Sequence, residues 1–548
     1  MASAVEDFLR PMPEELLIYV FSRLDSRLLA VVACVCKGWR SAACALNCSA
    51  HWYRSAMSQN LQLEDAMDEL LGDVLAAPFW PDFAIVFAGE EVDLNQVSEV
   101  VKRRLPKGLP LVACNTTGMM GRDIDTGLSV ENAHTNHDGE GNWNSHAVSL
   151  SVGRFPGVNV KALKLRNSLS DSEVRNFVAT ASTLSSRGRP GHHPLAILLF
   201  ADTSAEFTQT LKELDKAYGG KSAIGGGVVG LIDKRKSLLV HSNPAQLVQR
   251  TIDSSGTPGS TCHSSSTKVG KSKGDLDDTI YGDTACDFVA LAFTEDIRFS
   301  KNDTLSGGRL KCAVAASGIL KAVGPLYKVI SSRVSSTHEN VHTNITCERD
   351  GELMTAEDVA EEVVKQNHLQ ESGALTHIGV FRPRSRQNRP HFSLHEVLST
   401  TDLLTISEAG VRTRDCFRFY TPCIEVDVAV DSMSKTLLSM LSSDNVNDNT
   451  KIIARKAYPS MKQRPRRKII GGLVFSGEYF WNHVFFNYCE IADFHDIFPD
   501  IPISGVTCDC QFGPPAVLPG GTDVERESTQ GNVMGNFFST TFFLFCTD

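Results

Sequence analysis

Phe83-Ala-Ile-Val-Phe-Ala88 is an unbroken apolar run of strand length. Leu94 to Leu105 follows with apolar residues at helical spacing and Lys102, Arg103 and Arg104 near its end, where cations suit the helix dipole. Leu111 to Cys114 is apolar again. The pattern predicts strand, helix, strand. The same order returns at Leu195 to Ala201, Glu206 to Tyr218 and Ser222 to Val229, and a third time at Ile469 to Phe475, Glu490 to Phe498 and Pro502 to Val506. Such alternation calls for a layered, mixed α/β or α+β architecture with sheets covered by helices, and it does not demand an all-parallel sheet.

The third run of each recurrence ends in small or polar residues: Cys114 to Gly118, Gly225 to Gly227 and Thr507 to Cys510. Small residues at strand ends let a ligand or a second backbone come close, and ligands of α/β sheets bind beside the C-terminal ends of strands. Asn115, Thr116, Gly226, Thr507 and Asp509 are therefore the candidate ligand or substrate pocket. The competing reading is that these glycines serve only tight turns. Pro110 to Gly121 and Pro502 to Gly513 share a Pro-to-Gly spacing and an apolar start that gives way to small polar residues.

The N-terminal segment poses a different problem. Pro13 suits the first position of a helix, and Glu14 and Glu15 sit well at its positive end. Every position from Leu16 to Phe21 is apolar or aromatic. Asp25 or Ser26 caps a second helix, and Leu28 to Cys36 then runs nine residues without a charge. A three-helix unit of this size has too little core to cover such a surface, so another molecule or domain must cover it.

With 548 residues the chain is long enough for about three domains. A net charge of -10 argues against a general nucleic-acid binder. The first residues show neither a basic segment nor an apolar one, and no run approaches a membrane span. A soluble protein of the cytoplasm and nucleus is expected, with its 15 cysteines reduced. Ser182 to His193 and Asp253 to Asp283 have linker composition, and two basic stretches, Arg382 to Arg389 and Arg464 to Lys468, read first as solvated surface. No leucine-rich or propeller repeat of fixed period is present.

Met12-Pro13, Val20-Phe21-x-x-Leu24 and Val35-Cys36-x-x-Trp39 resemble the F-box, with Met12 and Val20 replacing the family's Leu and Ile. The resemblance implies that Pro13, Leu16, Val20, Leu24, Val35 and Trp39 meet the Skp adaptor of a ubiquitin ligase, and through it the cullin and RING proteins. Leu111 to Gly121, Gly225 to Gly230, Cys416 to Tyr420, Gly471 to Ser476, Pro502 to Gly513 and Met534 to Phe542 look like the FIST domain in its N- and C-terminal halves. In place of the family's Gly-Glu-Ile after the small-residue strand stands Thr507-Cys-Asp-Cys-Gln-Phe-Gly513. The expected organisation is an F-box over 8–52, a FIST N-terminal part over 80–250, a flexible loop over 251–285 and a FIST C-terminal part over 286–548, giving a three-helix module followed by a two-part sheet-and-helix region.

Enzyme readings fare poorly. Gly225, Gly227 and Gly230 fit a dinucleotide fingerprint, but the following Leu-Ile-Asp-Lys-Arg-Lys reads as a turn into a strand and not as the helix a pyrophosphate needs. Gly219-Gly-Lys-Ser222 lacks the upstream glycine of a phosphate loop, and no serine elbow is present. His134, His137, Asp138 and Glu140, and the pair Cys508 and Cys510, lack zinc-site spacing. The expectation is a non-catalytic receptor with no cofactor and no metal, which holds an unknown protein substrate near the charged ubiquitin carrier. The alternative is a sensor whose FIST pocket binds a small molecule and signals through the F-box.

Overall fold

The computed structural model describes residues 12–106, 108–133, 145–183, 193–230, 238–241, 286–296, 308–318, 320–336, 341–366, 377–382, 391–400, 403–407, 411–422, 432–437, 440, 468–477, 490–515, 533–536 and 539–547. The loop 253–283, the basic stretches 383–389 and 464–467, and His134 to Glu140 lie outside them. Three short helices come first: α1 (Glu14–Phe21), α2 (Ser26–Val32) and α3 (Lys37–Ser49). Three units of one design follow.

The first unit runs β1 (Trp52–Ser58), α4 (Leu63–Val74), β2 (Phe83–Ala88), α5 (Leu94–Arg104), β3 (Leu111–Asn115), a hairpin of β4 (Gly118–Arg122) and β5 (Ser129–Ala133), and β6 (Val148–Arg154). The second runs β7 (Val158–Leu165), α6 (Asp171–Thr183), β8 (Ala196–Ala201), α7 (Phe207–Tyr218), β9 (Ala223–Val228), β10 (Leu238–His241) and β11 (Phe288–Glu295). The third opens with β12 (Leu310–Gly318) and is interrupted by β13 (Leu320–Ser336), β14 (Val341–Arg349), β15 (Glu352–Met354), α8 (Ala356–Gln366), β16 (His377–Arg382), β17 (His391–Ser399), β18 (Leu404–Ser407) and β19 (Cys416–Pro422). It resumes at β20 (Lys468–Gly477), α9 (Glu490–Ile497), β21 (Ile503–Cys508), β22 (Gln511–Gly513), β23 (Met534–Asn536) and β24 (Ser539–Thr547).

Strand order is the same in all three: β1-β6-β2-β3, β7-β11-β8-β9 and β12-β24-β20-β21. In each, the last two strands are parallel and the other pairings antiparallel. The units then exchange strands in a cycle. β10 of the second unit pairs with β3 of the first, β4 of the first with β21 of the third, and β22 of the third with β9 of the second. Each unit thus completes a neighbour's sheet, so none is closed by itself.

The strand alternation explains the packing. Phe83, Ile85 and Phe87 share one central core with Leu198 and Phe200 and with Leu473 and Phe475, while the opposite faces of the same strands meet helices α4 and α5, α6 and α7, and α9. Phe87, Phe200 and Phe475 hold equivalent places, opposite Cys114, Gly227 and Val506 on the parallel neighbour. Their rings lie 6.0 Å (Phe87 to Phe200) and 5.9 Å (Phe200 to Phe475) apart. Burying one such side chain contributes about 1.5–3 kcal/mol.

The insertion in the third unit is a closed antiparallel barrel. Its strands run β13-β19-β16-β17-β18-β14, and β14 pairs back to β13. Helix α8 sends Val359 and Val363 into the barrel core beside Tyr327 and Phe417.

The three predicted strand–helix–strand stretches stand within one or two residues of their expected ends. Two expectations change. The region divides into three units and a barrel instead of two parts, because strands far apart in sequence share each sheet. It also begins at β1, which starts at Trp52, the last residue of the expected F-box, and ends before residue 80, and the second unit is finished by β11, beyond the end at 250 expected for the FIST N-terminal part.

Candidate functional site

On α1, Leu17 and Phe21 lie four residues apart and turn inward with Leu29, Ala42, Ala43 and Leu46. Ile18 packs partly against the same core, while Leu16, Tyr19 and Val20 turn outward. Leu16 is 47% exposed and Tyr19 61%, and Val20 joins them. Asp25 accepts the Leu28 N–H at 2.7 Å to start α2, which buries Leu29 and leaves Leu28 and Val31 outside, the latter 62% exposed. The helix ends at Val32, within the uncharged run, and the Cys36 sulfur accepts the Trp39 N–H and caps α3. Val35, 59% exposed, lies between them. Of the fifteen exposed large apolar side chains among the described residues, seven fall between Met12 and Val35. Such a concentration marks an interaction surface.

Four of the six predicted contacts, Pro13, Leu16, Val20 and Val35, are exposed. Leu24 and Trp39 are half-buried against the module's own core, with the Trp39 ring edge-on to Phe21 at 5.5 Å. Tyr19, Leu28 and Val31 belong to the face and were missed. Their helical spacing around the inward pair Leu17 and Phe21 was the available signal.

The module is bolted to the body. The Ser26 hydroxyl is within hydrogen-bonding reach of the carbonyls of Ala77 (2.8 Å) and Phe79 (2.6 Å), and the Trp80 N–H donates to the Asn47 side chain at 2.7 Å.

The three small-residue strand ends do meet. The Thr116 hydroxyl lies 3.1 Å from the Thr507 carbonyl and 2.8 Å from that of Gly118, and the Val228 N–H donates to the Cys510 carbonyl at 2.7 Å. They meet as a packed junction. Asn115 donates to the carbonyls of Gly89 and Val92, and it, Thr116 and Thr507 are buried; only Asp509 reaches the surface. At Gly226, φ is +152° and an added Cβ would stand 1.7 Å from the Leu199 carbonyl oxygen, so this glycine serves strand contact. Burial alone pushes the nearby Cys114 thiol well up, so it stays protonated.

A cleft of about 930 Å³ opens elsewhere, along Trp52 to Ala56 of β1, facing Lys468 to Ile470 and Pro499 to Ile503. Tyr53 lies at its base: the ring rests against Gly471, where a Cβ would come within 2.1 Å, and the hydroxyl donates to the Gly472 carbonyl at 3.1 Å. Burial pushes its pKa up to about 12 against the opposing hydrogen bonds of Ser151 and Ser504. Among the described residues no group of His, Cys, Asp or Glu is placed to hold a metal, and no helix is long and apolar enough to cross a membrane.

Residues 10–57 match the family described as F-box-like. The chain carries an F-box-like domain at its N-terminus. Along its length it is similar to an F-box/LRR-repeat protein of Arabidopsis thaliana, 23% identical over 553 residues that cover 95% of this chain and 90% of that protein. Beyond the F-box, the described residues form mixed sheets and a barrel with no solenoid of repeats.

Proposed function

We propose that this chain is the substrate-recognition subunit of a Skp-cullin-F-box ubiquitin ligase. The carrying observation is the exposed apolar face of Leu16, Tyr19, Val20, Leu28, Val31 and Val35 on a module that matches the F-box-like family. F-box domains dock on Skp-type adaptors, and an apolar helical face held firmly to a large body suits that task. The FIST-like region of three units and a barrel then holds a protein substrate beside the charged ubiquitin carrier. Catalysis is by proximity, and this chain contributes no acid, base or nucleophile. The reading includes action in the cytoplasm and nucleus, which a fluorescent fusion in cells tests.

The direct experiment is capture of a purified Skp-type adaptor by the full chain. Val20→Glu and Val31→Glu place charges on the face without touching the inward residues, and each should weaken capture at least about tenfold while the melting temperature holds. Full capture by the double variant would defeat the reading.

A further inference from the structure

We infer that the cleft along β1 binds an extended peptide segment of a partner protein, added as a strand to the free edge of β1. The inference rests on the reading of this chain as a recruiter of proteins, and it names the form in which the partner is held.

β1 is an edge strand, paired with β6 alone in its sheet. Two observations fix which of its main-chain groups face outward. The Gly153 carbonyl accepts the Asp82 N–H, so Gly153 turns its backbone toward β2 and away from its β1 partner Tyr53. At the other end of β1, the Met57 carbonyl accepts the Ile124 N–H at 3.0 Å, so Met57 also turns away from β6. Alternate residues of an antiparallel strand share a direction. The N–H and C=O of Tyr53 and Ser55 therefore point off the sheet into the cleft, while Trp52, Arg54 and Ala56 hold the ladder to β6. At Met57 the edge is already occupied by Asp123 and Ile124, in parallel pairing. Among the described residues no strand pairs with the edge from there toward Trp52, where Tyr53 and Ser55 keep 3% and 9% of their surface accessible.

Two outward residues spaced by two, about 7 Å apart along the strand, match the repeat of another extended chain and of little else. Across the cleft, Ile469, Ile470, Ile501 and Pro502 offer an apolar floor for one side chain of such a segment. Charges of both signs, Arg54, Lys468, Asp73 and Asp500, stand in its lining, so backbone pairing and the apolar floor select the occupant more than charge does. The site is continuous with the F-box. Its wall includes Ala50 and His51, immediately after α3 ends at Ser49. A strand bound here would sit at a fixed place relative to the adaptor.

The test pans a phage-displayed library of random dodecapeptides on the full chain without adaptor, then measures binding of the synthesised winners and hydrogen exchange of the complex. Expected are slowed exchange at Tyr53 and Ser55, and a loss of at least about tenfold in affinity when alternate peptide nitrogens are methylated. Ser55→Pro removes an N–H that the β6 ladder does not use, so it should abolish binding in a folded protein. If that variant does not fold, Ile501→Asp, which charges the floor, should abolish binding instead. Failure to enrich any peptide, protection confined to other segments, or indifference to N-methylation would each overturn the inference. Adaptor capture is read in a separate assay, so loss of the ligase reading and loss of the peptide site are distinguishable.

Discussion

Arg154, the last residue of β6, donates its Nε–H to the Asn47 main-chain carbonyl at 3.3 Å, while its terminal nitrogens reach Asp82 and the Cys48 sulfur. One side chain thus ties the first sheet to the end of α3. Asn47 completes the joint by accepting the Trp80 N–H. Asn47→Ala should destabilise the chain by about 1–3 kcal/mol, since the Trp80 donor is left without its acceptor. Adaptor affinity should be unchanged, because the exposed face is elsewhere; calorimetry and an adaptor titration measure the two.

Trp39 packs edge-on to Phe21, so its truncation acts on the module before it acts on any interface. Trp39→Ala should cost about 2–3 kcal/mol, seen as faster hydrogen exchange throughout α1 and α3. Val31→Ala, on the outer face, should leave that exchange as it is.

Gly226 tests the packed junction. With φ at +152° and the Leu199 carbonyl in the way, Gly226→Ala should lower stability by more than about 3 kcal/mol or prevent folding. Thr116→Val removes a buried hydroxyl that reaches the Gly118 and Thr507 carbonyls and accepts the Gly118 N–H, and should cost about 1–3 kcal/mol. Urea titrations check both, and a Gly226→Ala chain of unaltered stability would contradict the packing described.

His377 in the barrel gives a pH dependence of definite sign. Burial pulls its pKa from 6.5 down to about 4. The unfolded chain therefore takes up a proton near pH 6.5 that the folded barrel refuses until near pH 4. The stability is whole above pH 6.5 and is lost as pH falls toward 4, by about 2 kcal/mol at pH 5. His377→Asn should flatten the stability curve between those values, as followed by denaturant unfolding at a series of pH values.

The sequence by itself determined the local units. Phe83 to Ala88 with its helix and following strand, and the two later recurrences, were legible because each parallel pair and its crossover helix are written in one contiguous stretch, by an apolar run, a helical period and a second apolar run. The F-box motif was legible for the same reason. Tertiary structure alone decided which strands complete which sheet. β6, β11 and β24 return from far along the chain, and β4, β10 and β22 cross to a neighbouring unit, pairings that depend on which edges remain open in the folded body and not on any period in the sequence. It also decided the sites. Whether Trp39 faces out or in depends on Phe21 across the module, and whether Thr116, Gly226 and Thr507 enclose a hollow depends on how closely three remote backbones approach. Among the described residues the edge of β1 is left unpaired because β6 takes one side of that strand and Asp123 and Ile124 take just its far end. Hydrogen-bond partners across hundreds of residues are set by the assembled geometry, and no local pattern encodes them.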